Sequence, residues 1–220
     1  MNKFKFYFAI FFLFCFLNKT NGQYKNNFFV NINYGLNGNF FVRSYDETNG
    51  PTDKQYFYKK DFLGTIAGIS FQYYFGKKTY LNVGYNRSIN TGKKNYEGML
   101  NVTSIYIRDF KLRHINNFYE LGIGKNVNRK GSLRAELGLV LLYDLKQTIA
   151  IENWDNYISV DESNFKNANS VEGGFYFGFN YRFKIDTKFD LGFQTKLYYL
   201  ASVNEIEAIS FAPTLTYRFN

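Results

Sequence analysis

The chain contains one histidine, His114. An imidazole flanked by a serine and a carboxylate can activate a hydroxyl as a nucleophile. Ser104, Ser170 and Glu120 are the residues that could complete such a set, and a lipid-modifying enzyme would use that chemistry. Neither serine sits in a nucleophile motif, and His114 falls next to a polar stretch, where a surface or rim position is the simpler reading. No cysteine, histidine or carboxylate grouping has metal-ligand spacing, and no cofactor motif is present. Gly76-Lys77-Lys78-Thr79 has part of a phosphate loop but lacks the upstream glycine and a following helix, so it reads as a basic hairpin turn.

Two further groups of residues carry chemical interest. Glu120, Arg134, Glu136, Glu172, Arg182, Asp190, Lys196 and Arg218 mix acids and bases at regularly alternating positions. Brought together in a narrow space they must pair, because an uncompensated buried charge is costly. The expectation is a salt-bridged network; a path for ions or small solutes is the alternative. Trp154, Tyr157 and Phe165 lie among Glu152, Asp155, Asp161, Glu162 and Lys166, and exposed aromatics of this kind are candidate contacts for a partner. The net charge of +9 comes from lysines and arginines scattered over turns and loops, with no basic stripe, which argues against nucleic acid as a partner.

The elements that position these residues begin with a leader. Lys3 and Lys5 precede the apolar run 6–17, and Asn18-Lys19-Thr20-Asn21-Gly22 follows with small residues at Thr20 and Gly22. That order is the pattern of a secretory signal peptide, expected over 1–22. Removing it leaves a domain of 23–220, takes the charge from +9 to +6 and removes the single cysteine, Cys15. No later segment is apolar for long enough to cross a bilayer as a helix.

Period-two alternation dominates the remainder. It predicts strands at 28–37, 63–75, 81–86, 110–125, 132–146, 171–184, 188–200 and 209–219, eight in all. The final segment is clearest: Ile209, Phe211, Pro213, Leu215, Tyr217 and Phe219 share one face. Short connections at 76–78, 128–131 and 185–187 alternate with longer ones near 44–60, 91–109, 147–169 and 201–207. An antiparallel meander would place all short turns at one end and four longer loops at the other, as in outer-membrane barrels.

The apolar face carries dozens of large residues, too many for the bore of an eight-stranded barrel, whereas glycines such as Gly68, Gly84, Gly122 and Gly138 share the polar face. The polar face is therefore expected to line the lumen and the apolar face to meet lipid. A soluble, lipocalin-like carrier would require the reverse. Aromatics near strand ends, among them Tyr73, Phe75, Phe183, Phe189, Tyr217 and Phe219, fit an interfacial girdle. Pro213 lacks a donor and should weaken one ladder position.

The leader, the eight amphipathic strands and the closing strand Pro213-Thr-Leu-Thr-Tyr-Arg-Phe219-Asn220 resemble the small Gram-negative outer-membrane barrels of the OmpA/OmpX-like and PorT-like families. The resemblance covers the whole mature chain. It implies an all-β, eight-stranded antiparallel up-and-down transmembrane β-barrel in the cell outer membrane. It further implies outer-membrane lipid as surroundings, and periplasmic chaperones and the barrel-assembly machinery as partners in biogenesis, the latter reading Leu215, Tyr217 and Phe219. An extracellular or envelope protein partner is compatible with it. These families share no single activity, so the expected role is structural or surface-interacting and non-enzymatic, without a cofactor.

Overall fold

Alternation along the chain is realised as a continuous antiparallel ladder. A computed structural model describes residues 28–40, 63–75, 78–100, 103–128, 131–145, 147–154, 157–164, 170–202 and 204–219. The expected leader, the loop near 44–60 and Phe165 lie outside the described residues.

The strands are β1 (Phe28–Asn39), β2 (Leu63–Tyr74), β3 (Thr79–Leu100), β4 (Thr103–Asn126), β5 (Leu133–Leu145), β6 (Gln147–Trp154), β7 (Tyr157–Asn164), β8 (Ser170–Lys184), β9 (Phe189–Leu200) and β10 (Glu205–Phe219). Eight of them close into a barrel in the order β1-β10-β9-β8-β5-β4-β3-β2. Strands β6 and β7 form a separate ribbon inserted between β5 and β8. Closure comes from β1 pairing with β10, from Phe28↔Phe219 to Asn39↔Ala208.

The register follows from the two-residue side-chain period. Slipping any strand by one position would exchange its lipid and lumen faces, so each pairing is strongly specified. The outward rows are large and exposed: Ile32, Tyr34 and Leu36 on β1, Leu137, Leu139 and Leu141 on β5, and Phe175, Phe177 and Phe179 on β8. The inward rows are buried; they are mostly small or polar, with large apolar residues towards one end. The structure thus places the apolar face outside, which is unfavourable in water and favourable in lipid. Closure supplies each barrel strand with a partner on both sides, as the bilayer core demands.

Three connections differ from expectation. The segment 91–109, expected as a loop, continues the ladder: β3 and β4 run to 22 and 24 residues against 12 for β1, and they stay paired as far as Leu100↔Thr103. A bulge between Lys94 and Tyr96 interrupts the register once. The segment 147–169 holds the β6–β7 ribbon, paired from Gln147↔Asn164 to Trp154↔Tyr157. The connection at 201–207 shrinks to 201–204, since β10 begins at Glu205, and Asn204 turns the corner at φ 57°. Asparagine tolerates that left-handed conformation better than most residues.

Pro213 acts where expected. The β1–β10 pairing runs down to Asn33↔Thr214 and resumes at Leu36↔Phe211, so the Tyr34/Pro213 and Gly35/Ala212 positions are skipped. On its other side Pro213 remains in register with Phe193. Backbones crowd here: a Cβ on Gly35 would stand 2.3 Å from the Phe211 carbonyl oxygen and 2.4 Å from Ala212 Cα.

Candidate functional site

Inward-facing positions of all eight barrel strands converge on one lumen, and three zones succeed one another along it. At the end bearing the short turns, Arg134, Arg182, Arg218 and Asp190 gather from β5, β8, β10 and β9. Arg218 engages both carboxylate oxygens of Asp190, its Nε at 3.0 Å and its Nη2 closer still. The Arg134 guanidinium lies over Phe29, Tyr74 and Tyr80, 5.4–5.8 Å from their ring centroids. Arg134 Nη1 and Arg182 Nη2 both donate to Gln72 Oε1, at 3.3 and 2.9 Å.

The middle zone holds two carboxylates in separate shells. Glu136 accepts from Asn82 Nδ2 at 2.7 Å, from Tyr80 Oη at 3.2 Å and from the Tyr176 hydroxyl. Glu120 pairs with Lys196 Nζ at 2.5 Å and accepts from Tyr198 Oη and Asn86 Nδ2, each at 2.7 Å. Asn33 in turn donates to Asn86 Oδ1 at 2.9 Å. Amides from β1 and β3 thus extend the charged pair across the bore. Neutral amides suit this role because they provide both donors and acceptors without the desolvation cost of a charge.

Towards the loop end the lumen becomes apolar. Ile66, Phe118, Val140, Leu142, Tyr176, Tyr198, Leu200, Ala208 and Ala212 form one buried cluster. Phe118 and Tyr198 stack across it with centroids 4.2 Å apart. Near its rim Asn116 Nδ2 donates to Glu207 Oε1 at 2.7 Å, and Asn39 Nδ2 donates to Asn90 Oδ1 at 2.9 Å.

Glycine makes room for these rings. Gly122 faces Gly138 across β4 and β5, and Gly138 faces Tyr176 across β5 and β8. A Cβ on Gly122 would lie 2.3 Å from the Tyr176 hydroxyl, and one on Gly124 would lie 2.0 Å from Tyr80 Cζ. Each tyrosine ring occupies space that a side chain on the neighbouring strand would fill.

A closed eight-stranded barrel with a buried polar lumen and an apolar outer belt has one architecture to match. It is an eight-stranded antiparallel β-barrel of the transmembrane kind. No protein-family model matches the chain, and no curated protein does. Among solved structures, Ail, the attachment invasion locus protein of Yersinia pestis, in complex with the heparin analogue sucrose octasulfate, matches at TM-score 0.49 and 10% identity, covering 89% of this chain and 100% of that one. Neisserial surface protein A matches at TM-score 0.43 and 14% identity, covering 87% and 97%. The N-terminal β-barrel domain of Pseudomonas aeruginosa OprF matches at TM-score 0.36 and 13% identity, covering 88% and 98%. These are loose likenesses; the barrel stands on its own strand register.

Within this barrel the charged residues named from sequence divide unequally. Glu120, Arg134, Glu136, Arg182, Asp190 and Lys196 are buried in the lumen, while Arg218 and Glu172 are half-buried towards opposite ends. Among the described residues two ion pairs join them directly, Lys196–Glu120 and Arg218–Asp190. Glu136, Arg134 and Arg182 are held instead by amides and, for Glu136, by phenols.

His114 lies at the loop-end rim of the barrel but is buried there rather than exposed. It sits within β4, opposite Asn90, and is 6% exposed. The imagined catalytic set is not assembled. Ser104 is ten residues along the same strand, roughly 33 Å away, and Glu120 is six residues along it, roughly 20 Å away. Ser170 opens β8 in register with Asp144, off the His114 strand.

Leu215, Tyr217 and Phe219 share the outward face of β10. Tyr217 packs on Phe189 and Phe219 at 5.2 and 4.9 Å, and Phe219 on Phe28 at 5.3 Å. Trp154 and Tyr157 face each other in register at the end of the β6–β7 ribbon.

Sequence reasoning puts the amides on the lumen face without naming them as the charges' partners, and misses the tyrosines Tyr74, Tyr80 and Tyr198 and the apolar cluster. The signal for the first two lay in plain parity: Asn31, Asn33, Asn37 and Asn39 all fall on one face of β1, and Tyr80 and Tyr198 on the inward faces of β3 and β9. Val140 and Leu142 are hidden because they sit between outward residues that are equally apolar.

Proposed function

We propose that this protein is a non-enzymatic outer-membrane barrel with a structural or surface-interaction role. It is exported through the leader at 1–22 and presents its long connections outside the cell. The observation that carries this reading is the outward belt of Ile32, Leu36, Leu137, Leu139, Phe175 and Phe177 on a closed barrel whose inward rows are buried. Such a surface is stable only against lipid.

Two features favour a role at the surface. The β3–β4 ladder continues beyond the reach of β2, which joins β3 only as far as Gly64↔Asn90. The β6–β7 ribbon leaves the barrel at the same end, between β5 and β8. Paired strands hold a projecting segment in one shape and so lower the ordering cost of binding. The partner is an extracellular or envelope protein, with Trp154, Tyr157 and Phe165 as candidate contacts. Periplasmic chaperones and the assembly machinery handle the chain before insertion, reading Leu215, Tyr217 and Phe219.

The lumen is read as plugged. Phe118, Tyr176 and Tyr198 stand across it near the loop end, and the Glu120 and Glu136 shells stand beneath them. An eight-stranded barrel has an interior that side chains suffice to fill.

The test has two parts. Outer-membrane fractions of cells expressing the full chain should give an SDS-resistant band that shifts on boiling; a soluble periplasmic protein without a shift defeats the membrane reading. Replacing 147–164 by a short turn should then leave that shift intact and abolish adhesion of whole cells to the target surface. Unchanged adhesion would remove the ribbon from the proposed role.

A further inference from the structure

The short-turn end of the lumen holds more positive charge than its own acids neutralise. Arg134 and Arg182 are 7% and 3% exposed, and among the described residues neither reaches a carboxylate. Asp190 is taken by Arg218, and Glu136 by Tyr80, Asn82 and Tyr176. The two guanidiniums instead converge on one neutral oxygen, Gln72 Oε1. Two like charges sharing a neutral acceptor in a buried interior are expensive.

Arg134 offsets part of that cost through the three aromatic rings beneath it. Among the described residues no ring faces Arg182. Its Nε donates to Asn180 Oδ1 at 3.1 Å, its Nη2 to Gln72, and its Nη1 is buried with no partner. A second donor without a partner lies in the same cross-strand row. Arg182 is opposite Gly192, Gly192 is opposite Thr214, and Thr214 Oγ1 is buried and unbonded. A Cβ on Gly192 would stand 2.9 Å from Thr214 Oγ1 and 3.2 Å from Arg182 Cα, so the missing side chain keeps that row thin.

We propose that this end of the lumen is a binding site for a small inorganic anion of the size of chloride, held by Arg182 and Arg134. The anion supplies the negative charge that Gln72 lacks and accepts from Arg182 Nη1. The site is independent of the surface role and of what the loops bind.

The test uses the full mature chain, folded in an uncharged detergent. Its thermal midpoint is followed by circular dichroism while sodium gluconate is exchanged for sodium chloride at constant ionic strength. The midpoint should climb along a single-site saturation curve, by about 5 °C at a hundredfold excess over half-saturation, and bromide should reproduce it. Gln72→Glu puts a carboxylate at the shared acceptor and should abolish the chloride response. A response in Gln72→Glu equal to that of the native chain overturns the proposal, as does a midpoint that drifts linearly without saturating. Should that variant fail to fold, the native saturation curve decides together with crystals grown in bromide. An anomalous peak beside Arg182 supports the site, and peaks elsewhere only overturn it.

Discussion

Glu120 and Lys196 show how much of the lumen rests on single side chains. Both are buried, and their 2.5 Å contact is wrapped by Tyr198 and Asn86. Lys196→Met should cost about 3–5 kcal/mol, because it strands a buried carboxylate. The double variant Glu120→Gln with Lys196→Met should recover most of that loss, since a neutral pair removes the penalty along with the attraction. Urea unfolding in lipid vesicles, read from the heat-modifiable band, distinguishes the two cases; equal losses would show that the pair itself, not the stranded charge, sets the cost. Parity in the sequence was enough to place these two charges in the lumen. It could not say that Glu136 would be held by Tyr80, Asn82 and Tyr176 instead of by a base, because alternation fixes the face of a strand and leaves open which strand lies across the bore. His114 lies inside the strand expected at 110–125, but the alternation around Arg113 and Ile115 is weak and does not show that the imidazole is buried.

The strands obey two rules at once, and the glycine positions show both. Gly124→Val should destabilise the barrel by about 2 kcal/mol or more, since the new Cβ would collide with the Tyr80 ring 2.0 Å away. Gly173→Ala is the matched control: a Cβ there meets nothing within 4 Å, and the change should be neutral. Urea midpoints of the two variants should therefore separate, and coincident midpoints would mean that the Tyr80 ring moves aside freely. Barrel strands were legible because lipid on one side and a narrow bore on the other impose opposite demands on successive residues. That pressure ends where the ladder leaves the membrane. In β3 beyond Asn90 and in β4 before His114 the apolar and polar residues no longer alternate cleanly, so the sequence there carries no strand signal although the backbone stays paired as far as Leu100↔Thr103. The β6–β7 ribbon did carry a signal. Ile149 and Ile151 alternate with polar or small residues, and Asp155-Asn156, turn-forming types, separate the facing Trp154 and Tyr157.

At the scale of the whole molecule the outer belt is the decisive property. Leu139 lies mid-belt, opposite Leu121 and Phe175, and is 56% exposed. Leu139→Arg should cost about 2–4 kcal/mol in a bilayer, the figure for a cation at the midplane of a barrel's lipid face. Refolding yield into vesicles of short-chain and long-chain lipid reads this, with the thicker bilayer penalised more; equal yields would move Leu139 out of the midplane. The lumen charges are also sorted along the axis. Arg134, Arg182 and Arg218 lie at the short-turn end, and Glu172 and Glu207 near the loop end.

The pairing of β1 with β10 has a consequence in time. Phe28, at the start of the barrel, finds its partner only in Phe219, close to the last residue. Until that partner exists the sheet has two open edges and nothing to seal them. No portion of the chain can settle into a bilayer while the remainder is still being made. Synthesis and folding are therefore separate events for this molecule. On the proposed export route the whole polypeptide waits unfolded through that interval, and contacts of such long sequence separation form slowly. Anything that shortens the wait, or shields the chain during it, acts on the yield of the barrel without touching a single residue of the finished structure.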